Sequence, residues 1–230
     1  MGGDDMTKIS AMVVDGDKTL WEGRALEGIC KAYLRQETMK LHLPTVYRAI
    51  RGVCEVKAIV KRYDGNVEGE MLGQKRAYEV LVENGLGRKD EMYSFAGSYI
   101  NGQVIRNVSD LIVEKIRFGI PVFLATASGT SAEMYSMNHF HLKDAVSNKE
   151  LFDEKGRLSG VELIITNGEN KLDATKAMLD GYNMRLGDCV VVGDSKLDIP
   201  MLKAAGFPMA SPFATDEVKA IRGIVQIRKD

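Results

Sequence analysis

Three short stretches of the chain are apolar without the alternation that is typical of a half-exposed strand: residues 9–14, 121–125 and 189–192. Continuous apolar runs of this length are typical of strands that are buried on both faces of a parallel sheet. Apolar residues with helical spacing lead towards the second and third runs, at residues 108–118 and 172–179. Strands and helices that alternate in this way predict right-handed crossovers and a doubly wound, Rossmann-like parallel α/β sheet.

The pattern changes between residue 21 and about residue 103, where no fully apolar strand run occurs. Residues 25–35, 46–62 and 71–82 have the apolar spacing of helices, with turn signals between them. Because this region directly follows the first predicted strand, we expect a mainly helical cap domain that is inserted into the sheet domain.

Two domains follow from these patterns. The predicted cap covers residues 23–102, and the predicted sheet core consists of residues 1–22 together with residues 103–230. Within the core, residues 150–161 (ELFDEKGRLSGV) contain a Glu-Lys-Gly turn between two short segments. Such a turn predicts a hairpin that belongs to the sheet domain.

Composition limits the classes of function that fit the chain. With 45% hydrophobic and 27% charged residues among 230, the chain can bury a sizeable core. Its formal net charge of −1 lacks the basic excess of a nucleic-acid-binding domain. No apolar run approaches the roughly 20 residues that span a bilayer. Neither a nucleic acid nor a membrane is therefore an expected partner, and the sequence predicts no oligomeric state.

Cysteine usage bears on the cellular compartment. The three cysteines are scattered without metal-ligand spacing, and the polar, acidic start MGGDDMTK is unlike a secretory signal. An odd number of cysteines in a chain with such a start predicts reduced thiols and a cytoplasmic location.

Polar groups that suit phosphate chemistry follow each of the three predicted strands. The strands end at Asp15-Gly16-Asp17-Lys18-Thr19, at Thr126-Ala127-Ser128-Gly129 and at Gly193-Asp194-Ser195-Lys196-Leu197-Asp198. Ligands of open α/β sheets bind beyond the carboxyl ends of the strands, so we expect these groups to meet. Acids as close as Asp15 and Asp17 repel one another and resist desolvation, so they need a counter-ion or a proton. A site for a hard divalent cation explains them, and a turn that happens to be acidic is the alternative.

These motifs resemble those of the haloacid dehalogenase superfamily and, within it, the phosphoserine-phosphatase-like branch. The matching residues are Asp15, Asp17 and Thr19 for the first motif (Asp-x-Asp-x-Thr), Thr126 for the second (a hydroxyl residue closing an apolar strand), and Asp194 and Asp198 for the fourth (Gly-Asp-x-x-x-Asp). The resemblance extends through the sheet core, whereas the inserted segment is similar in position and helical character alone.

The third motif of this family is a single lysine upstream of the fourth motif, and two lysines fit that description. Lys171 follows the turn Asn167-Gly168-Glu169-Asn170 at the start of a predicted helix, where this branch carries its lysine. Lys176 would lie in the middle of that helix, where a solvated lysine is the ordinary finding. We therefore identify Lys171 with the third motif.

The resemblance implies a Mg²⁺-dependent phosphatase. Asp15 would be the nucleophile that forms an aspartyl-phosphate. Asp17 would protonate the leaving alcohol and later deprotonate the attacking water. The metal would be held by Asp15, Asp194 and the backbone carbonyl of Asp17.

The resemblance also implies a phosphate site. Thr126, nearby backbone N–H groups such as that of Ala127, and the ammonium of Lys171 would bind the phosphoryl oxygens. Asp198 would orient Lys171 or a metal-bound water. It would equally well cap the helix predicted at residues 199–204, and the sequence does not separate these two roles.

Phosphoserine is disfavoured as the substrate, because the chain departs from phosphoserine phosphatases after the first motif. Those enzymes carry a Glu there for the substrate amine and a cap Arg for its carboxylate. The corresponding stretch here is Trp21-Glu22-Gly23-Arg24, with a displaced Glu22 and a basic residue nearby. Lys18, where Gly or Ser is frequent, is a further departure. Candidate substrate contacts in the predicted cap are Arg48, Arg51 and Lys61.

The predicted function is the hydrolysis of a small phosphorylated metabolite through an aspartyl-phosphate. Within enzymes, the alternative is a phosphotransferase or mutase that passes the phosphoryl group to another alcohol. A catalytically silent binding module fits less well, since a silent domain has no reason to keep mutually repelling acids. A dehalogenase is disfavoured because it dispenses with the metal and with the second acid of the first motif.

Overall fold

A seven-stranded sheet forms the centre of the protein. The computed structural model describes residues 9–39, 43–63 and 67–229. The strands are β1 (Ala11–Val14), β2 (Val122–Gly129), β3 (Asp144–Phe152), β4 (Leu158–Glu162), β5 (Cys189–Gly193), β6 (Phe207–Ala210) and β7 (Val225–Gln226). Their order in the sheet is β4-β3-β2-β1-β5-β6-β7. Strand β4 is antiparallel to β3, and the other neighbours pair in parallel. The predicted α/β sheet and its hairpin are both confirmed.

Helices connect the strands. They are α1 (Ala25–Met39), α2 (Leu43–Tyr63), α3 (Val67–Glu83), α4 (Lys89–Asn101), α5 (Arg106–Arg117), α6 (Thr130–His139), α7 (Gly168–Asp180), α8 (Ile199–Ala204) and α9 (Asp216–Lys219). Short 3₁₀ helices occur at Leu186–Asp188 and Lys196–Asp198. Helices α5 and α7 match the two helices that the apolar spacing predicts before the second and third strand runs.

Strand β1 shows why its sequence is apolar without alternation. Met12 and Val14 pack into a core with residues of α5 and α6. Ala11 and Val13 point to the other face and pack with residues of α7 and α8. Because successive strand residues point to opposite faces and helices cover both, every position of β1 is buried.

Helices α1–α4, here called the four-helix segment, lie between β1 and α5 in the chain and share a core of their own. Tyr33, Val56, Leu81 and Met92 come from the four helices in turn and are buried in this core. Leu158 of β4 packs into the same core, so the segment rests on the β3–β4 edge of the sheet.

The spacing of apolar residues did not predict α4. Its buried positions include Met92, Ala96, Gly97 and Ile100, which recur at helical spacing. Two of these residues, Ala96 and Gly97, are small, and the ring of Tyr135 packs against Gly97. A buried stripe of small residues carries little hydrophobic signal, which explains why the sequence pattern missed the helix.

None of the helices in the described ranges combines the length and the apolar character that are needed to cross a membrane. Cys30 and Cys189 are buried, Cys54 is exposed, and all three are free thiols.

Candidate active site

The carboxyl ends of β1, β2 and β5 bring the three motif segments together. Strand β1 lies between the other two and pairs in parallel with both, so Asp15, Thr126 and Asp194 meet at one edge of the sheet. The backbone N–H of Asp15 donates to the carbonyl of Val192 at 3.0 Å. A Cβ atom on Gly16 would lie 2.6 Å from Thr126 Oγ1, so the ends of β1 and β2 approach closely only because residue 16 is a glycine.

Lys171 is the lysine that the fold brings to the acids. It lies in the first turns of α7, which Asn167 caps through a 2.9 Å bond from the N–H of Asn170. Its Nζ donates to Asp15 Oδ1 at 2.5 Å and to Asp198 Oδ1 at 2.6 Å. Lys176 is exposed on the same helix.

The ion pairs keep Lys171 charged although it is fully buried. Burial alone would lower the pKa of its ammonium, but Asp15 and Asp198 outweigh that effect and raise the pKa above its usual value. A permanent cation is therefore fixed against the Asp15 carboxylate.

Asp198 orients Lys171 and caps a turn at the same time. Its Oδ2 accepts the backbone N–H groups of Asp194 at 3.1 Å and Ser195 at 3.0 Å, together with the Ser195 hydroxyl. These bonds close the 3₁₀ turn Lys196–Asp198 as a capping box. Asp198 is also the N-cap residue of α8, but its side chain makes no capping bond there and caps the 3₁₀ turn before that helix instead.

The donor set fits a hard cation. One carboxylate oxygen each of Asp15, Asp194 and Asp198 lies within 4.8 Å of the others. Asp198 uses both oxygens for Lys171 and the capping bonds. The second oxygens of Asp15 and Asp194 accept no hydrogen bond from the residues that the structure describes, although Asp194 Oδ1 accepts the Thr19 hydroxyl at 3.2 Å. Carboxylate oxygens of this kind suit an oxygen-preferring ion such as Mg²⁺.

The electrostatics of the acids point the same way. Burial, followed by the repulsion from Asp198 and Asp17, raises the pKa of Asp15 to about 7 even though Lys171 opposes the shift. Burial and the charges of Asp15 and Asp198 likewise raise the pKa of Asp194 well above its ordinary value. Lys171 alone thus leaves the buried acids short of positive charge, and a divalent cation would supply it.

Asp17 faces a different group of atoms. Its Oδ1 accepts Trp21 Nε1 at 2.8 Å and the backbone N–H of Ala25, the first residue of α1, at 3.0 Å. Burial raises the pKa of the Asp17 carboxyl, although the Ala25, Trp21 and Ser128 donors oppose the shift. Its carboxylate does not join the acid cluster, so the predicted metal contact of Asp17 rests on its backbone carbonyl.

The segment that follows Ala125, for which the motif resemblance implies phosphate binding, is a bulge in the sheet. The pairing of β2 with β3 shifts register between Ala125 and Gly129, which leaves residues 126–128 outside the regular ladder. Thr126 and Ser128 are buried, and the Ser128 N–H donates to Thr126 Oγ1 at 3.2 Å. Residues 126–128 all line the cavity that Asp15, Asp17 and Asp194 also line, and the Ser128 side chain bonds to Asp17.

A cavity of about 120 Å³ lies between these strand ends and the four-helix segment. The sheet side contributes Asp15, Asp17, Lys18, Thr126, Ala127, Ser128, Asp194, Ser195 and Leu197. Residues in or next to α1 and α3 contribute Arg24, Leu26, Glu27, Glu70, Met71, Gly73 and Gln74. Among these, Arg24 Nη2 forms a 2.9 Å ion pair with Glu70 Oε1 across the two helices.

Two of the three basic residues that were candidate substrate contacts in the cap lie away from the cavity. Arg51 pairs with Glu55 on its own helix and is exposed, Lys61 is also exposed, and neither lines the cavity. The side chain of Arg48 is outside the described part of the chain. Ser128, which follows the second predicted strand, lines the cavity and bonds to Asp17, while Gly129 is the N-cap of α6.

Two departures near the first motif have a structural basis. Lys18 adopts a left-handed backbone conformation with φ of 58°, which explains why glycine suits this position. Glu22 is exposed and does not line the cavity, whereas Arg24 does.

Comparison with known proteins agrees with this geometry. Residues 12–203 match the haloacid dehalogenase-like hydrolase family. No curated protein sequence matches the chain. A phospho-aspartyl intermediate analogue of phosphoserine phosphatase has a similar fold, with a TM-score of 0.70 and 21% identity over 97% of this chain and 95% of that one.

Two further phosphoserine phosphatase structures have similar folds. The substrate-bound complex has a TM-score of 0.68 and 19% identity over 96% of this chain and 95% of that one. The apo form has a TM-score of 0.72 and 19% identity over 97% of this chain and 96% of that one. At these identities the likeness concerns the fold. The family match spans most of the sequence, and the chain therefore belongs to the haloacid dehalogenase-like hydrolase family, as its motifs predict.

Proposed function

We propose that this haloacid dehalogenase-like hydrolase is a Mg²⁺-dependent phosphatase that hydrolyses a small phosphorylated metabolite through an aspartyl-phosphate on Asp15. The observation that carries the proposal is the buried pair of Lys171 Nζ and Asp15 Oδ1, 2.5 Å apart, in which Asp15 lines a cavity together with Thr126 and Asp194. A fixed cation beside a carboxylate and a hydroxyl-rich bulge is an arrangement that binds a phosphoryl group.

In the first half-reaction, Asp15 attacks phosphorus and the ester O–P bond breaks. Asp17 donates its proton to the departing alcohol oxygen. The raised pKa of Asp17 supports this role, because an acid that is buried keeps its proton to higher pH than an exposed one. Lys171 stabilises the charge that spreads over the transferring group.

In the second half-reaction, Asp17 takes a proton from a water molecule that attacks phosphorus. The bond between phosphorus and Asp15 breaks, inorganic phosphate leaves, and Asp17 is protonated again for the next turnover. The same carboxyl thus acts first as acid and then as base, which requires that it stay close to both alcohol and water.

The metal proposal rests on Asp15, Asp194 and the backbone carbonyl of Asp17 as ligands, since the carboxylates of Asp15 and Asp194 each have an oxygen that is left for a cation. When bound, Mg²⁺ would relieve the repulsion between the attacking carboxylate and the phosphate dianion. Without a cation, a pKa of about 7 would leave part of the Asp15 carboxyl protonated, and therefore non-nucleophilic, near neutral pH.

Residues 23–102 are proposed to act as a cap. Leu26, Glu27, Met71 and Gln74 of this region face the strand ends across the cavity, which would exclude water and select the leaving group. The cavity volume of about 120 Å³ favours a small substrate. Arg24 follows the first motif where phosphoserine phosphatases carry a Glu, but Glu27 and Glu70 also line the cavity, so the lining by itself does not argue against a substrate amine. The predicted cytoplasmic location stays a prediction.

The test is phosphate release from a panel of sugar, amino-acid and nucleotide phosphates, with Mg²⁺ and with EDTA. We expect Mg²⁺-dependent release from at least one small ester with water as the acceptor. Release that requires an added alcohol would favour the transferase alternative. Equal release in EDTA would remove the metal from the proposal, and no release from any ester would remove the phosphatase.

A further inference from the structure

The carbonyl oxygen of Ala127 is held by two side chains from distant parts of the fold. Asn148 Nδ2 donates to it at 2.8 Å and Gln74 Nε2 at 2.7 Å. Ala127 lies in the bulge within β2, where the sheet supplies no ladder partner for this carbonyl. A backbone carbonyl with two donors has both lone pairs satisfied, so the orientation of its peptide plane is fixed.

Asn148 connects this bulge with the segment that carries the catalytic lysine. It is fully buried on β3, and its Oδ1 accepts the backbone N–H groups of Ile164 and Ile165, each at 2.9 Å. These residues lie between β4 and α7, the helix of Lys171. The side-chain amide of Asn148 thus bonds to the bulge through its nitrogen and to the segment before α7 through its oxygen.

Gln74 reaches the same carbonyl from α3, in the four-helix segment. It is half-buried, lines the cavity, and its Oε1 also accepts a weak bond from Asn148 Nδ2 at 3.4 Å. Its bond to Ala127 therefore forms only while α3 packs over the bulge. The hydrogen bond joins the position of the helical wall to the geometry of the phosphate site.

We propose that Asn148 and Gln74 are positioning residues for phosphoryl transfer, which act through the Ala127 peptide. Asn148 fixes the position of the bulge relative to the segment that leads to Lys171. Gln74 adds the second hydrogen bond to the Ala127 carbonyl when the helices cover the cavity. Neither group takes part in bond making. The inference rests on the proposed phosphatase function, because it concerns the placement of Thr126 and the adjacent N–H groups around a phosphoryl group.

The first test replaces Gln74 with methionine, which keeps the length of the side chain but removes its donor. Lys75→Met is the matched control, because Lys75 is exposed on the same helix and does not line the cavity. With an aryl phosphate and Mg²⁺, we expect kcat of Gln74→Met to fall about threefold to tenfold, the range of one hydrogen bond. KM should change less than kcat, inhibition by orthovanadate should weaken in parallel with kcat, and Lys75→Met should match the wild type.

The second test is Asn148→Asp. A carboxylate still accepts from Ile164 and Ile165, but it donates to Ala127 only when protonated. We expect kcat to fall by about a hundredfold at alkaline pH, a loss typical of a misplaced catalytic group. The ratio of variant to wild-type kcat should then rise as the pH falls and the new carboxyl gains its proton.

The outcomes separate the two proposals. If the wild type releases no phosphate, the proposed function fails. If the wild type is active and Gln74→Met is indistinguishable from Lys75→Met, Gln74 is not a positioning residue. A ratio for Asn148→Asp that does not change with pH, at whatever level of activity, would show that the donor to Ala127 is not what matters. Should Asn148→Asp not fold, as judged by its melting temperature, the Gln74 pair decides.

Discussion

The two walls of the cavity are built on different principles. On the sheet side, Lys171, Asp15 and Asp198 are almost completely buried and bonded to one another at 2.5 and 2.6 Å. On the helical side, the Arg24–Glu70 pair keeps 23% and 26% of its side chains exposed. Short bonds in the interior hold the groups on the sheet side, whereas the ion pair on the helical side is partly exposed to solvent. From this difference we propose that the strand ends carry out the chemistry and that the helices select the substrate.

The largest effect that this comparison predicts comes from the sheet wall. Asp15→Asn removes the nucleophilic oxygen while it keeps the shape of the side chain, so turnover of every substrate should be abolished. The measurement is phosphate release across the substrate panel, with the melting temperature as a check that the variant folds. Full activity in Asp15→Asn with any ester would contradict the assignment of the nucleophile.

The second-largest expected effect comes from removing the buried ammonium group of Lys171. Lys171→Ala should raise the barrier by on the order of 3–4 kcal/mol, the cost of losing a charge-stabilising donor in a dry site. Lys176→Ala is the matched control, because Lys176 is exposed on the same helix. Steady-state kcat with saturating Mg²⁺ distinguishes the two. A severe loss in Lys176→Ala and a mild one in Lys171→Ala would mean that the third motif is misplaced.

The helical wall should respond selectively rather than uniformly. If the leaving group of the best substrate in the panel contacts the Arg24 guanidinium, Arg24→Met should lower kcat/KM for that substrate about tenfold or more. Hydrogen bonds to charged groups contribute roughly 1.5–3 kcal/mol, which corresponds to a loss of this size. An aryl phosphate should lose far less. Arg51→Met, on the exposed face of α2, is the control.

The ratio of the two kcat/KM values measures this selectivity. Equal losses of kcat/KM for both substrates would mean that Arg24 contributes to the phosphoryl transfer itself. This result would contradict the proposal that the helical wall only selects the substrate. A loss in Arg51→Met as large as that in Arg24→Met would restore the hypothesis that Arg51 contacts the substrate.

The smallest predicted effect is on stability. Lys18 holds φ at 58°, and a left-handed conformation costs an L-residue roughly 1–2 kcal/mol. Lys18→Gly should therefore be more stable than Lys18→Ala by about 1 kcal/mol, since both variants lose the ammonium and only glycine is relieved of strain. Chemical denaturation of the two variants measures the difference. Equal stability would show that the turn stores no such strain.

The same contrast between the walls explains what the sequence could predict. Asp15, Thr126 and Asp194 were predictable because parallel strands end at one edge, and a charged residue after a buried strand is conspicuous. Lys171 followed from its place after a helix cap. The double role of Asp198 was not predictable, since one carboxylate that bonds to a lysine and caps a turn has the same sequence signature as either role alone.

The helical wall lacked such signals. Gln74 and Ser128 are polar residues of ordinary type, and neither spacing nor charge distinguishes a cavity-lining glutamine from a solvated one. Their contacts depend on how α3 packs over the bulge, and this packing joins residues more than fifty positions apart, such as Gln74 and Ala127. Helix α4 was missed for a related reason, because Ala96 and Gly97 pack closely without a strong apolar pattern.

The central claim is that Asp15 becomes phosphorylated while Asp17 serves as acid and base, and one measurement tests it directly. Asp17→Asn keeps the nucleophile but removes the proton donor and the base. An aryl phosphate has a leaving group that needs little protonation, so Asp15 should still be phosphorylated slowly, whereas hydrolysis of the intermediate should stall. The variant is mixed with the aryl phosphate and Mg²⁺, quenched in acid, and analysed by peptide mass spectrometry. The account predicts one added phosphoryl group on Asp15, and a phosphoryl group on a different residue would contradict it.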